Sequence, residues 1–166
     1  MKSNCAISDR LTRMDIKLPK PCLPAGNYKP AIVCGNLLYV SGHTPDDARP
    51  DAYVAGKIGC GKVGEAVSMD EAYQAAYDVG LAILSTVKHS LGDFTRVKRL
   101  VRATGVVNCN PDFTAHPKVM NGFSDLMAVV FGKENGIGAR SATGAISLPG
   151  DVPVEVTEAI FELHPE

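Results

Sequence analysis

Ser68-Met-Asp-Glu71 opens the segment that most narrows the fold. A serine followed three residues later by a glutamate is a capping box, in which hydroxyl and carboxylate each satisfy an orphan backbone amide at a helix start. Behind it Ala72, Ala75, Ala76, Val79, Ile83, Val87 and Leu91 recur at three- and four-residue steps as one apolar stripe, while Asp70, Gln74, Asp78 and Lys88 fall elsewhere. This predicts a long helix, stopped by Gly92-Asp93. The small residues on its stripe suit close packing against a sheet, and residues 99–107 supply a β-branched strand directly afterwards.

Other elements follow from the same reading. Residues 31–41 are rich in strand formers around Gly35-Asn36, which predicts two short antiparallel strands joined by a hairpin turn. Residues 44–64 read as loop, with Pro45, Asp46, Asp47, Pro50 and four glycines, and at most a short strand over 52–58. A second helix is predicted over 117–132, with Val119, Phe123, Met127 and Val130 facing inward. Strands over 139–147 and 152–163 close the chain, separated by the turn Leu148-Pro-Gly-Asp151. The order β-β-(β)-α-β-α-β-β predicts an α+β fold, a mixed sheet with two helices on one face. An apolar opposite face would then have to meet another subunit.

With 166 residues the chain fits one domain over 18–166, preceded by a flexible, polar lead-in over 1–17. Its 17 basic and 18 acidic residues are scattered, so the electrostatic footprint required by nucleic acid or an anionic membrane is missing. No apolar run approaches the roughly 20 residues that cross a bilayer. The five cysteines are odd in number and widely spaced, which suits a reducing compartment. The expected location is cytoplasmic; Lys2, Arg10 and Arg13 leave the mitochondrial matrix open for a eukaryotic source.

Two glycine-rich motifs compete for a functional role. Gly59-Cys-Gly61-Lys-Val-Gly64 matches a dinucleotide fingerprint, and residues 56–63 match most of a P-loop. Val63 cannot hold magnesium as a serine or threonine would, and no buried strand leads straight into a helix here, so a surface loop is expected. His43, His89, His116 and His164 show no paired spacing with one another or with a cysteine, and no cofactor or metal is expected. Cys34 and Cys109 fall within predicted strands, where an inert buried thiol is the commoner state. Arg140 follows Gly136-Ile-Gly-Ala139 and opens an apolar strand, with Glu155 fifteen residues on. A functional pair stands here beside a solvated edge charge and the polar face of an alternating strand. Gly136 and Gly138 would allow a sharp turn, and Ala142, on the same face as Arg140, would leave space for a ligand.

Gly26-Asn-Tyr28-Lys-Pro, Gly35-Asn-Leu-Leu-Tyr-Val-Ser41-Gly42-His43, Ala139-Arg140-Ser141, Leu148-Pro and Pro153-Val-Glu155-Val together resemble the YjgF/YER057c/UK114 (RidA) family. The likeness spans residues 18–163, and the stretch 112–126 is similar to a longer subgroup. The resemblance implies a chorismate-mutase-like fold and a barrel-like homotrimer with three intersubunit clefts. It also implies an enamine/imine deaminase chemistry on a small carboxylate-bearing metabolite. By the same resemblance Arg140 clamps the substrate carboxylate and Glu155 orients or activates water. Tyr28, Ser41, Gly42 and Asn121 complete the substrate site.

The sequence departs from the deaminases at Ala142, where they often carry cysteine, and at His43, where they often carry glutamine. Residues 156–159 run one residue longer than the usual pattern, which predicts a bulge or a shifted register beyond Glu155. A non-catalytic metabolite-binding protein is the alternative function. The ribonuclease activity by which the family is often labelled sits poorly with 6% aromatic residues and no basic patch.

Overall fold

The structure, a computed structural model, describes residues 4–165. Its elements run α1 (Asn4–Arg13), β1 (Ala31–Cys34), β2 (Leu37–Val40), α2 (Met69–Leu91), β3 (Val97–Asn108), α3 (His116–Phe131), the single turn α4 (Lys133–Gly136), β4 (Ala139–Ala145) and β5 (Val154–Leu163). The five strands form one sheet in the order β1-β2-β5-β3-β4; β3 and β4 are parallel and every other pair is antiparallel. The capping box forms as the sequence requires: Ser68 N–H donates to Glu71 Oε2 at 2.8 Å and Glu71 N–H to Ser68 Oγ at 3.3 Å. Gly92, at φ 83°, ends α2.

The helices α2 and α3 cover one face of the sheet. Leu38, Val40, Ala103, Val107 and Phe161 are buried beneath them with Val79, Ile83, Phe123 and Met127, and each large side chain so buried contributes roughly 1.5–3 kcal/mol. Of the bulge and the shifted register that the sequence allowed, the bulge is present. Glu158 pairs with Thr104 but Val156 pairs with Gly105, so Thr157 is the extra residue. On either side of it Val154 and Val156, then Ala159, Phe161 and Leu163, are buried on the same face. The opposite face carries the cross-strand row Ile32, Tyr39 and Ile160, of which Ile32 is 53% exposed.

Three features differ from the expectations. The stretch read as a lead-in contains α1, which docks through buried Leu11 and through Arg10 Nη1 donating to Val130 O at 2.7 Å. Ile7 and Leu11 form an i, i+4 apolar pair that the polar composition around them masks. Asp78, placed off the stripe of α2, is buried, because the loop over 44–64 closes on that side of the helix. It accepts from Tyr53 Oη at 2.6 Å, Gln74 Nε2 at 3.1 Å and Arg49 Nη1 at 3.2 Å. Within that loop the strand allowed over 52–58 reduces to a single bridge between Val54 and Ile58.

Close approach of α2 and α3 depends on Gly122, where an added Cβ would meet the Tyr73 carbonyl, its carbon at 2.9 Å. Alanine gains about 1 kcal/mol of helix propensity over glycine, but overpacking against backbone that cannot rotate away costs about 1–3 kcal/mol. Gly122→Ala is therefore expected to lower the thermal midpoint; an unchanged or raised midpoint would show that the two helices have room to spare.

Candidate functional site

Beyond β2 the chain continues as Ser41-Gly42-His43 and stays paired with β5, His43 N–H donating to Val156 O at 3.0 Å and Val156 N–H to His43 O at 3.1 Å. This pairing sets Gly42 directly beside Glu155, since a Cβ at Gly42 would lie 2.5 Å from Glu155 Oε1. Only glycine admits the carboxylate there. Ser41 does not line the cavity. Its Oγ donates to Lys29 O at 2.7 Å and its N–H to Pro30 O at 2.9 Å, which holds the preceding segment in place. Tyr28 sits on that segment, half exposed, its hydroxyl accepting from Ala25 N–H at 3.2 Å.

Tyr28, Gly42 and Glu155 line one cavity of about 300 Å³ together with Cys22, His43, Asp46 and Asp47. Among the described residues no lysine or arginine lines it, so three carboxylates face it with the His43 imidazole as the one basic group. Burial, and then the nearby Asp47, raise the pKa of Glu155 above the ordinary glutamate value. A carboxyl in this state exchanges a proton closer to neutral pH than a solvated one.

Arg140 and Asn121 form a second group. Arg140 Nη1 donates to Asn121 Oδ1 at 3.0 Å and to Ser124 Oγ at 2.9 Å, and Nη2 donates to Pro117 O at 3.1 Å. A guanidinium has five N–H groups, so two have no partner among the described residues, the number that a bound carboxylate takes up. The space beside Arg140 is shaped by these α3 groups, while Ala142 packs against the core. Gly136 and Gly138 serve close approach and not a sharp turn: neither has a positive φ, and a Cβ on Gly138 would lie 2.8 Å from Leu100 O.

The two groups do not meet within one chain. Arg140 pairs with Ala103 of β3 and Glu155 with Val106. That puts three residues of rise and two strand spacings between them, roughly 14 Å, and their side chains leave opposite faces of the sheet. A small molecule cannot span both in a single protomer.

The glycine-rich loop is a surface loop. Gly56, Gly59, Gly61 and Gly64 all have positive φ, and Lys62 Nζ is tied to Asn108 Oδ1 at 3.0 Å and to Ile146 O. Of the thiols, Cys34 is exposed at the hairpin end, contrary to the expectation of burial, because β1 is an edge strand. Cys109 is buried 3.4 Å from His116 Nε2, and burial pushes its pKa up, which disfavours the nucleophilic thiolate. Sequence spacing missed one cluster altogether: Cys22, His43 and Asp47, brought together from two segments, one around Cys22 and one over 43–47. Four-residue spacing of His43 and Asp47 was a faint signal; Cys22, twenty-one residues away, had none.

Residues 8–149 match the family described as "YjgF/chorismate mutase-like, putative endoribonuclease". The chain is 38% identical over 158 residues to Protein TCP17 of Trypanosoma cruzi, covering 95% of this chain and 94% of that one. Its fold superposes on the crystal structure of Atu1372, a protein of unknown function from Agrobacterium tumefaciens, with a TM-score of 0.81 and 37% identity over 98% and 95% of the two chains. A Shewanella oneidensis MR-1 protein described as an endoribonuclease in the same terms gives 0.83 at 29% identity, over 95% and 99%. The mixed sheet under two helices thus defines a chorismate-mutase-like α+β protein. The chain belongs to the YjgF/RidA family. Among the described residues no helix is long and apolar enough to cross a membrane.

The raised pKa of Glu155 has a measurable consequence for stability. A carboxyl that binds its proton more tightly folded than unfolded keeps its full contribution below the unfolded pKa and loses it as pH rises through the folded one. Glu155→Gln, which never ionises, should therefore melt higher than wild type at pH 7, and the gap should close as pH falls below about 4.3. A gap that widens toward acid would mean that Glu155 is stabilised as an anion.

Proposed function

We propose that the protein hydrolyses a small 2-imino acid or its enamine to the 2-keto acid and ammonia, at a cleft shared between two copies of the chain in a homotrimer. The observation that carries this reading is the division of charge. One surface holds Arg140 with two unpartnered N–H groups, and the other holds Glu155 in a cavity whose charged side chains are all acidic. A carboxylate ligand is repelled by the second surface alone and needs the first. Juxtaposing Arg140 of one copy with the Glu155 cavity of the next supplies both, and the apolar row Ile32, Tyr39 and Ile160 gives the open sheet face a reason to be covered.

In that arrangement Arg140 binds the substrate carboxylate through a two-bond fork, held rigid by Asn121, Ser124 and the Pro117 carbonyl. Glu155 accepts a hydrogen bond from water and directs its oxygen at the imine carbon. Water adds across C=N, the nitrogen gains protons, and ammonia leaves as the C=O forms. Tyr28 and Gly42 form the wall beside Glu155. The acidic cavity also bears on the ribonuclease label, because carboxylates repel phosphodiesters as they repel any anion. A non-catalytic metabolite binder is the second reading, supported by the three protein groups that already immobilise Arg140.

Ammonia release from an imino acid generated in situ separates the two: Glu155→Gln should lose turnover yet still bind 2-oxobutyrate, and unchanged turnover would remove Glu155 from the chemistry. Calorimetry with 2-oxobutyrate tests the anchor. The charged hydrogen bonds are worth about 2–3 kcal/mol, so Arg140→Ala should weaken binding about 30- to 150-fold, and Arg140→Lys, which lacks the fork, should also bind less tightly. Equal affinity in all three proteins, with the oligomer intact, would exclude Arg140. Light scattering is expected to show a trimer at micromolar concentration; a monomer would abolish the shared cleft.

A further inference from the structure

Cys22, His43 and Asp47 converge on one small volume. The thiol sulfur, an imidazole nitrogen and a carboxylate oxygen all lie within 4.8 Å of one another. Cys22 Sγ and His43 Nε2 are 3.3 Å apart. Zinc–sulfur bonds of about 2.3 Å and zinc–nitrogen bonds of about 2.0–2.1 Å meeting at a tetrahedral angle put these two atoms about 3.5 Å apart, so the pair is spaced as ligands of one ion. We propose that Cys22, His43 and Asp47 hold a divalent transition-metal ion of the zinc type, with the fourth coordination position facing the cavity that Glu155 lines.

The tautomer of His43 suits this role. Its Nδ1 lies 2.8 Å from Ser41 O, and a carbonyl only accepts, so Nδ1 carries the hydrogen and the Nε2 lone pair points into the site. A carbonyl behind the imidazole is the usual outer partner of a metal-binding histidine. The ring is buried and its backbone is fixed by the bridge to Val156, so the nitrogen is held in position before any ion arrives.

Thr86, on α2, shows what the metal-free cluster lacks. Its Oγ1 is 2.8 Å from Nε2 and 3.9 Å from Cys22 Sγ. Without a metal the Thr86 hydroxyl and the Cys22 thiol compete as donors for one lone pair. With an ion on Nε2 and Cys22 as thiolate, the hydroxyl has an acceptor of its own. Charge points the same way: Asp46, Asp47 and Glu155 line the cavity with no lysine or arginine among the described residues, and Asp46 Oδ1 is buried without a hydrogen-bond partner. Burial, and after it Asp47, raise the pKa of Glu155, and a cation held by Asp47 offsets the second of these. Binding releases the Cys22 proton to solvent as the sulfur–metal bond forms, with no change of oxidation state, so affinity rises with pH.

The test uses the full chain, reduced and stripped of metal, titrated with Co²⁺. Saturation at one ion per chain is expected, with a thiolate-to-cobalt charge-transfer band that disappears in Cys22→Ser and persists in Cys109→Ser. The latter removes the competing thiol beside His116. Thr86→Val should bind about 10- to 100-fold more weakly, the range for loss of an outer-shell partner. In the wild-type chain Zn²⁺ should also slow alkylation of Cys22 by iodoacetamide, read by peptide mass spectrometry, so the result does not depend on how well a variant folds. Absence of the band in excess Co²⁺, its survival in folded Cys22→Ser, its loss in Cys109→Ser, or an alkylation rate indifferent to Zn²⁺ would each overturn the proposal. None of these readouts involves substrate, so failure here leaves the deaminase reading to its own tests.

Discussion

The double pairing of β5, with β2 on one side and β3 on the other, is what the rest of the molecule depends on. Side chains alternate along a strand, so a regular β5 that put Val154 and Val156 under the helices would turn Ala159, Phe161 and Leu163 to the open face. The extra residue at Thr157 resets the alternation and lets both sets enter the core. Deleting it would move one of these sets into solvent, at several kcal/mol for the large side chains. Glu155 sits just before the bulge, on the open face, and the same strand pins His43 through two backbone hydrogen bonds. Core packing and site geometry are thus settled by one local irregularity.

Electrostatics then divides the molecule in two. At an effective dielectric constant of about 20, two unit charges 4 Å apart interact by about 4 kcal/mol. A cavity with Asp46, Asp47 and Glu155 on its wall has to find positive charge or keep protons. Burial first, and then the charge of Asp47, raise the pKa of Glu155 in that direction. Arg140 is placed where it cannot help within that chain, on the far side of β3 and the other face of the sheet. It is nonetheless held by three hydrogen bonds, which fix the guanidinium in the position that the proposed shared cleft would use.

What could be read from the sequence was local and periodic. The Ser68–Glu71 box, the alanine-rich stripe of α2, the Gly35-Asn36 hairpin and the inward face of α3 all appear where spacing put them. Even the irregularity after Glu155 was legible as one residue too many, although a bulge and a shifted register stood equally open. Periodicity failed where a loop, and not the sheet, covers a helix: Asp78 is buried by Tyr53 and Arg49, which are twenty-five and twenty-nine residues away. It failed at α1, where two apolar residues among polar and charged ones suffice to dock a ten-residue helix. The Cys22, His43 and Asp47 cluster was out of reach for the same reason, since spacing rules for metal ligands assume that a single helix or hairpin carries most of them.

Two different cations can answer the negative charge of this cavity, and chemistry assigns them to different places. A guanidinium suits the planar, paired oxygens of a carboxylate, and Arg140 lies outside the Cys22, His43 and Asp47 cluster. A thiol, an imidazole and a single carboxylate present soft, borderline and hard donors at separations too short for a guanidinium to enter between them, 3.3 Å for the closest pair. The Cys22, His43 and Asp47 cluster lies toward α2, against Thr86, whereas Gly42 and Glu155 lie along the ends of β2 and β5 with Tyr28 on the same cavity. An ion there would leave the wall open to substrate and lower the local charge seen by Glu155. In the proposed cleft such an ion would offset the charge of Asp47 beside Glu155, and Arg140 of a second copy would be left to the substrate carboxylate alone.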